Sequence, residues 1–175
     1  MSLGQVLHRS PKFDVVRALR RDPSGREHAH EIVAHPGAAV ILPVLADGRI
    51  VLIRNWRVAA GAELLELPAG TLEPGEAPLT CAARELREET GYSAAVVTPL
   101  TRFYSSPGIC TEVLHLFAAT GLTGGAQSLD AGECIRVEPM AVSAALAAVR
   151  DGRIMDAKSI AGILFYDRWR EEFAA

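Results

Sequence analysis

Apolar residues come in short, strand-length runs along the chain. The run GAAVILPVL covers residues 37–45, the run IVLIRNW covers residues 50–56, and an Asp-Gly pair lies between them. Two strand-like runs around Asp-Gly predict a β-hairpin. Because the first run is apolar throughout rather than alternating, we expect it to be buried on both faces.

Other segments extend this pattern towards a mixed fold. Residues 15–19 and 31–33 have strand character and flank a turn at residues 22–25, and residues 64–67 form another short apolar run. Three segments have the apolar period of a helix: residues 78–90, 142–150 and 157–173. A mixed sheet with about three helices packed on it predicts an α+β fold.

The first of these helices has clear ends. Pro78 suits a first helical position, and Gly91 suits the left-handed residue after the last turn. At about 100° per residue, one stripe of this helix is expected to face the core. Its members are Leu79, Ala82, Ala83, Leu86 and Thr90. We also expect Asp156 to cap the last helix.

Length and composition narrow the class of protein. The 175 residues and 18.7 kDa suit one domain over residues 1–175. A net charge of −3 argues against nucleic acid or an anionic membrane as the main partner. No apolar run approaches the roughly 18 residues that span a bilayer, and the first residues lack the apolar stretch of a secretion signal.

The three cysteines indicate a reducing compartment. Cys81, Cys110 and Cys134 are odd in number, widely spaced and never in a CxxC pair. We therefore interpret them as reduced thiols in or near the core, and expect a cytoplasmic protein.

A cluster of carboxylates is the strongest chemical signal. On a helix over residues 78–90, Glu85, Glu88 and Glu89 crowd within about one turn. Arg84 precedes Glu88 by four residues and can hold one carboxylate by a charge-assisted hydrogen bond. Oxygen ligands of high negative charge suit a hard cation, Mg²⁺ first and Mn²⁺ second. Taken alone, such a cluster is more often a solvated helix face than a metal site.

The surrounding string decides between these interpretations. Gly70 is followed after five residues by Glu76, and after seven more by the string Arg84-Glu85-Leu86-x-Glu88-Glu89-x-Gly91. This arrangement resembles the Nudix box at every invariant position. The resemblance implies the α/β/α sandwich of the Nudix hydrolases, with the box as loop–helix–loop. It also implies their reaction, the Mg²⁺-dependent attack of water on a diphosphate linked to another group.

The resemblance assigns roles to positions of the box. Glu85 and Glu89 would be metal ligands, and Glu88 would be a further ligand or helper. The backbone carbonyl of Ala69 would be another ligand. Arg84 would orient the carboxylates rather than touch substrate, and Glu76 would brace the loop.

Residues outside the box are similar to the ADP-ribose pyrophosphatase subfamily. Glu66 opens the string Glu-Leu-Pro-Ala-Gly, and Pro107 follows Gly91 by sixteen residues. Arg54 and Arg57 resemble strand-end arginines of that subfamily, and Glu112 resembles one of its ribose or phosphate contacts. The resemblance therefore implies substrate-binding roles for these residues: Arg54, Arg57, Glu66, Pro107 and Glu112.

The general base and the adenine contact are further expectations from the resemblance. Glu133 precedes an Ile-Arg-Val strand, as the subfamily's loop carboxylate does, and is the expected base. Some relatives place the base two residues earlier, where this chain has Ala131. A helix carboxylate such as Glu88 would be the alternative base. Residues 1–36 would form an N-terminal β segment that joins a homodimer, with Phe13 stacking on adenine and residues 37–175 as the catalytic core.

These expectations combine into one reaction. The protein would use Mg²⁺ to hydrolyse ADP-ribose, a small-molecule nucleoside diphosphate, to AMP and ribose 5-phosphate. One alternative is a pyrophosphatase for another nucleotide sugar such as GDP-mannose. The other is a Nudix-fold sensor that binds its ligand without cleaving it.

Overall fold

The computed structural model describes residues 4–173 as an α+β fold. Ten strands follow in chain order: β1 Gln5–Arg9, β2 Asp14–Arg21, β3 Glu27–Ala34, β4 Ala38–Pro43, β5 Ile50–Arg57, β6 Ala62–Glu66, β7 Ala69–Thr71, β8 Tyr92–Tyr104, β9 Val113–Gly124 and β10 Ile135–Met140. Three α-helices lie among them: α1 Pro78–Thr90, α2 Val142–Arg150 and α3 Ala157–Trp169. Short 3₁₀ turns cover Val58–Ala60 and Arg170–Phe173. The last helix therefore ends four residues before the predicted residue 173.

The N-terminal segment is an antiparallel sheet in the order β1-β2-β3. The predicted turn at residues 22–25 joins β2 to β3, and the Asp22 carboxylate accepts hydrogen bonds from the backbone N–H groups of Ser24 and Arg26. The backbone of Val33 ties β3 to the rest of the chain by bonding to Ile109 and Thr111. The paired strands predicted here are confirmed.

The predicted hairpin around Asp-Gly is wrong. Strands β4 and β5 enter different sheets, one in the order β7-β4-β9-β8 and the other in the order β10-β5-β6. Only the single bridge Val44↔Ile50 links them. The two strands diverge because each already has both edges paired, β4 with β7 and β9, and β5 with β6 and β10.

Burial of β4 on both faces is confirmed. Val40 and Leu42 pack into a core shared with β5, β6, β9, α2 and α3. Ala39 and Ile41 face the opposite side, where α1 covers the mixed sheet. The parallel pair of β4 with β9, flanked by antiparallel β7 and β8, makes this sheet mixed, as expected. The arrangement fixes α1 against one face, so that its carboxylates lie beside β7.

Helix α1 has the predicted bounds, and three of the five residues of the predicted stripe (Ala82, Leu86 and Thr90) are buried. Gly91 ends it in the left-handed region with φ 76°. Leu79 is 50 % exposed and Ala83 is exposed, whereas Cys81 is fully buried. The helix is rotated so that Cys81, Ala82 and Leu86 meet β4 and β9. The period alone could not place the stripe to within one residue.

The other sequence expectations have mixed outcomes. The Asp156 carboxylate accepts a hydrogen bond from the Ser159 N–H and caps α3, as predicted. Cys81 is buried and Cys110 half-buried, but Cys134 is exposed, so the core interpretation is wrong for that thiol. None of the three is disulfide-bonded. Within residues 4–173, no helix is long and apolar enough to cross a membrane.

Candidate active site

The backbone of β7 meets two carboxylates of α1. The Ala69 N–H donates to Oε2 of Glu89 over 2.8 Å. At Gly70, a Cβ atom would lie 1.8 Å from Oε1 of Glu85, so a side chain there would take the space that the Glu85 carboxylate fills. Strand β7 and helix α1 therefore form one acidic wall, and Gly70 is what lets them approach so closely.

Arg84 organises the remaining acids of this wall. Its guanidinium donates to Glu76 at 2.9 Å, to Glu85 at 2.6 Å and to Glu88 at 3.1 Å. It also bonds to the Thr71 carbonyl. The hydrogen bond from Arg84 lowers the pKa of Glu76 to about 2. Arg84 thus contacts the carboxylates that it is expected to orient, and the roles of Arg84 and Glu76 stay predictions.

The Glu89 carboxylate has few nearby groups that stabilise its negative charge. Its side chain is buried, with 4 % of the residue exposed, and burial raises its pKa to about 8. The Ala69 N–H opposes this rise, while the charges of Glu85 and Glu133 add to it. Burial is also the main cause of a raised pKa at Glu85. A divalent cation would relieve this crowding.

The donor set fits a hard divalent cation. Among residues 4–173, no group of three acidic, His or Cys side chains is already arranged to hold a metal ion, and Arg84 bonds to both Glu85 and Glu88. The oxygens gathered here are nevertheless all carboxylate or backbone oxygens around a buried acid, which is the chemistry Mg²⁺ and Mn²⁺ prefer.

Three neighbouring cavities surround this wall. The carboxylate cavity, about 200 Å³, lies between α1 and the loop before β10 and is lined by Glu85, Glu88, Glu89, Asp130 and Glu133 among others. Glu133 thus lies across the cavity from the helix carboxylates, where the base was expected. Lys12 also lines it, a residue that sequence reasoning missed.

The second cavity, about 440 Å³, shares the Ala69–Thr71 backbone with the carboxylate cavity. We call it the arginine cavity because Arg57 lines it, together with Glu112, Tyr104 and Lys158. The sequence predicted Arg57 and Glu112 here.

Glu66 lies behind the arginine cavity rather than in it. It is 1 % exposed and accepts two hydrogen bonds from Arg57, at 2.7 and 2.9 Å. Lys158 bonds to the same carboxylate and, at 2.9 Å, to Asp156. Glu66 therefore positions two cations on the cavity wall. Lys158 was not identified from the sequence as a site residue, because its turn already has a structural role: Asp156 in that turn caps α3.

The third cavity, about 530 Å³, shares Lys12, Thr71 and Glu73 with the carboxylate cavity. We call it the proline cavity, since Pro11, Pro36 and Pro74 line it with Leu72 and Phe13. Phe13 is 40 % exposed and contributes one wall.

Two expected substrate residues are not brought to these cavities. The Arg54 guanidinium donates to Glu138 at 2.5 Å and lies 3.8 Å from Glu63, so it belongs to an ion-pair cluster across β10, β5 and β6. Pro107 lies exposed in the turn between Ser105 and Cys110. Neither residue lines the three cavities, and their expected substrate contacts stay predictions.

Comparison with known proteins identifies the fold and the box together. The NUDIX domain family matches residues 34–160, which include β7, α1 and the acidic wall. The chain belongs to the Nudix family. This membership makes it a hydrolase of the kind that uses divalent metal ions.

Nudix relatives of known activity cover most of the chain. An ADP-ribose pyrophosphatase of Bacillus subtilis (strain 168) is 39 % identical over 145 residues, 82 % of this chain and 78 % of the relative. A GDP-mannose pyrophosphatase of Yersinia enterocolitica is 36 % identical over 133 residues, 71 % of this chain and 69 % of the relative.

A solved structure confirms the Nudix fold. The crystal structure of an ADP compounds hydrolase matches with a TM-score of 0.83 and 22 % identity, over 99 % of this chain and 98 % of that one. The predicted sandwich with a mixed sheet is thus confirmed.

Proposed function

We propose that the protein hydrolyses ADP-ribose with water to AMP and ribose 5-phosphate. Mg²⁺ would be the preferred cation, and Mn²⁺ would substitute for it. The observation that carries the proposal is that the small carboxylate cavity shares lining residues with two larger cavities. A diphosphate in the carboxylate cavity would leave room in the neighbouring cavities for the larger groups attached to it. The relatives named ADP-ribose pyrophosphatase support this substrate.

The acidic wall would hold the cation. Glu85, Glu88 and Glu89 would supply carboxylate oxygens and Ala69 its carbonyl oxygen. When bound, the cation would offset the charge of the diphosphate oxygens and make water a better nucleophile. Arg84 would set the orientation of Glu85 and Glu88 from the side, through the hydrogen bonds it already makes.

Glu133 is our candidate for the general base. It lines the carboxylate cavity and its charge acts on both Glu85 and Glu89. It would take a proton from the attacking water, and it stands on the loop between β9 and β10. Glu88 is the alternative base from the helix side.

The arginine cavity would hold one end of the substrate. Arg57 would donate to a phosphate oxygen, kept in place by the buried Glu66, and Glu112 would accept from ribose hydroxyls. In the proline cavity, Phe13 would stack against the adenine. Arg54 and Pro107 would be further substrate contacts, with Arg54 held by Glu138 as Arg57 is held by Glu66.

Two other functions remain testable alternatives. The relative named GDP-mannose pyrophosphatase supports a different nucleotide sugar in the same three cavities. A sensor that binds its ligand without cleaving it would not need the complete acidic wall. Because this chain retains all three glutamates and their arginine, an enzyme is favoured over a sensor.

The wider expectations are part of the proposal. Residues 1–36 would mediate a homodimer around a single Nudix domain, and the protein would act in the cytoplasm. Exposed apolar side chains on the first two strands, among them Val6, Leu7 and Leu19, support a docking role for this segment.

A substrate panel tests the proposal. The purified protein is incubated with Mg²⁺ and ADP-ribose, ADP-glucose, GDP-mannose, NADH or diadenosine polyphosphates, and kcat/KM is measured from chromatographed products. We expect the highest kcat/KM for ADP-ribose, with AMP and ribose 5-phosphate as products. A higher kcat/KM for GDP-mannose would make GDP-mannose the favoured substrate instead. The absence of hydrolysis with every compound would overturn the enzymatic function.

A further inference from the structure

The two cationic side chains that line the carboxylate cavity differ in whether they are free to bind a ligand. Six acids line this cavity (Glu73, Glu85, Glu88, Glu89, Asp130 and Glu133) and two cations, Lys12 and Arg84. Arg84 already bonds to three carboxylates and a backbone carbonyl. Lys12 makes no hydrogen bond or ion pair with any other part of the chain within residues 4–173. Its ammonium group is therefore available to a ligand.

The backbone that carries Lys12 is well fixed. Lys12 lies in the turn between β1 and β2, where the Ser10 hydroxyl donates to the Phe13 carbonyl at 2.7 Å and accepts from the Phe13 N–H at 3.1 Å. The Ser10 N–H also donates to the Phe13 carbonyl. Pro11 further restricts the turn through its fixed φ. The turn presents Lys12 at the junction of the carboxylate and proline cavities, since Lys12 lines both.

The use of lysine in this chain is selective. Of the eighteen Lys and Arg residues, sixteen are Arg and two are Lys, namely Lys12 and Lys158. Lys158 lines the arginine cavity and Lys12 lines the carboxylate cavity. Lys158 is bound to Glu66 and Asp156, which leaves Lys12 as the unpaired amine.

We propose that Lys12 binds a non-bridging oxygen of the substrate diphosphate, so that the N-terminal hairpin of the chain supplies part of the substrate site. The inference rests on the proposed function. A diphosphate brings negative charge into a cavity rich in acids, and a flexible ammonium group at its rim offsets that charge as a point cation. Lys12 also joins the phosphate site to the cavity where Phe13 lies.

Substitution of Lys12 tests this contact by kinetics. Lys12→Met should raise KM for ADP-ribose on the order of tenfold, since a charge-assisted contact to phosphate is lost, while kcat changes little. Lys12→Arg should restore most of the affinity. Arg9→Met is the matched control, because it removes one positive charge from the same hairpin outside the three cavities, and it should leave KM unchanged.

The dependence on salt gives a second kinetic readout. KM of the wild type should rise as KCl is increased, and KM of Lys12→Met should rise less, because one screened attraction is missing. Equal KM values and equal salt dependence in Lys12→Met and the wild type would overturn the inference.

Amine labelling tests the contact in the unmodified chain. The wild type is acetylated with and without Mg²⁺ and the non-hydrolysable α,β-methylene analogue of ADP-ribose, and each lysine is quantified by mass spectrometry. We expect the analogue to protect Lys12, with the ion-paired Lys158 slow in both samples. Acetylation of Lys12 at the same rate in both would contradict the contact. Hydrolysis by the wild type, measured separately, shows whether the proposed function itself holds.

Discussion

At the scale of single residues, the account depends on the buried carboxylate of Glu89. In the absence of metal, burial raises its pKa to about 8, far above the ordinary value near 4.5. A group whose pKa is raised on folding stabilises the fold fully below its unfolded pKa, and that contribution is lost as pH rises towards the folded pKa. Because of Glu89, the free energy of unfolding of the metal-free protein should therefore decrease as the pH rises from about 5 to about 8.

The substitution Glu89→Gln should flatten this pH dependence. Gln keeps an oxygen that can accept from the Ala69 N–H but carries no charge. Melting temperatures of both proteins in chelator, measured at acidic, neutral and alkaline pH, check the prediction. Equal slopes for both proteins would show that Glu89 is not the group responsible.

Gly70 gives a second prediction at this scale. Gly70→Ala should displace the Glu85 carboxylate, because the new Cβ would lie 1.8 Å from its Oε1. The displaced group is the end of a flexible side chain, so we expect weaker Mg²⁺ binding and lower turnover with a change in melting temperature of only about 2–4 °C. Gly124→Ala is the control, since its Cβ would meet only Tyr92 at an ordinary 3.7 Å. Unchanged Mg²⁺ affinity in Gly70→Ala would contradict this prediction.

The sequence predicted the acidic residues of the site better than its two lysines. Glu85, Glu88 and Glu89 are neighbours along one helix, so spacing alone brings them together. Lys158 meets Glu66 across 92 positions of the chain, and Lys12 reaches the carboxylate cavity through a separate hairpin. Such contacts depend on tertiary packing, which no local pattern contains.

At the scale of elements, the end of α1 is the most constrained point. Gly91 has φ 76°, and a Cβ there would lie 2.5 Å from the backbone carbonyl oxygen of Gly125. Gly91→Ala should destabilise the protein by about 1–3 kcal/mol from the backbone conformation alone, and by more because of this contact. Gly48→Ala is the matched control, with φ 81° but open space around the new Cβ. Chemical denaturation should therefore give the larger loss for Gly91→Ala, and equal losses would contradict the role of the Gly125 carbonyl.

Elements were predicted well where their signals are local, and less well where sheet pairing decides. The bounds of α1 follow from Pro78 and Gly91, which act on their own turns. The separation of β4 from β5 follows from partners far along the chain, such as β9 for β4. A hairpin signal at Asp-Gly sets the turn but does not set which sheet each strand joins.

At the scale of the whole molecule, the N-terminal sheet should mediate dimer formation. Leu19, 61 % exposed on β2, is its most exposed large apolar residue. We expect a solution mass of twice 18.7 kDa, and a shift towards the monomer in Leu19→Glu. Leu164→Glu, on the exposed side of α3, should leave the mass unchanged. Light scattering after gel filtration distinguishes these outcomes, and a monomeric wild type would contradict the prediction.

The most direct test of the central claim is the release of AMP from ADP-ribose by the wild type and by Glu89→Gln. The account predicts release that needs Mg²⁺, stops with chelator and is lost in Glu89→Gln, while the variant still binds ADP-ribose as a rise in melting temperature. If the wild type released no AMP while ADP-ribose still raised its melting temperature, the result would contradict the enzymatic account and favour a ligand sensor.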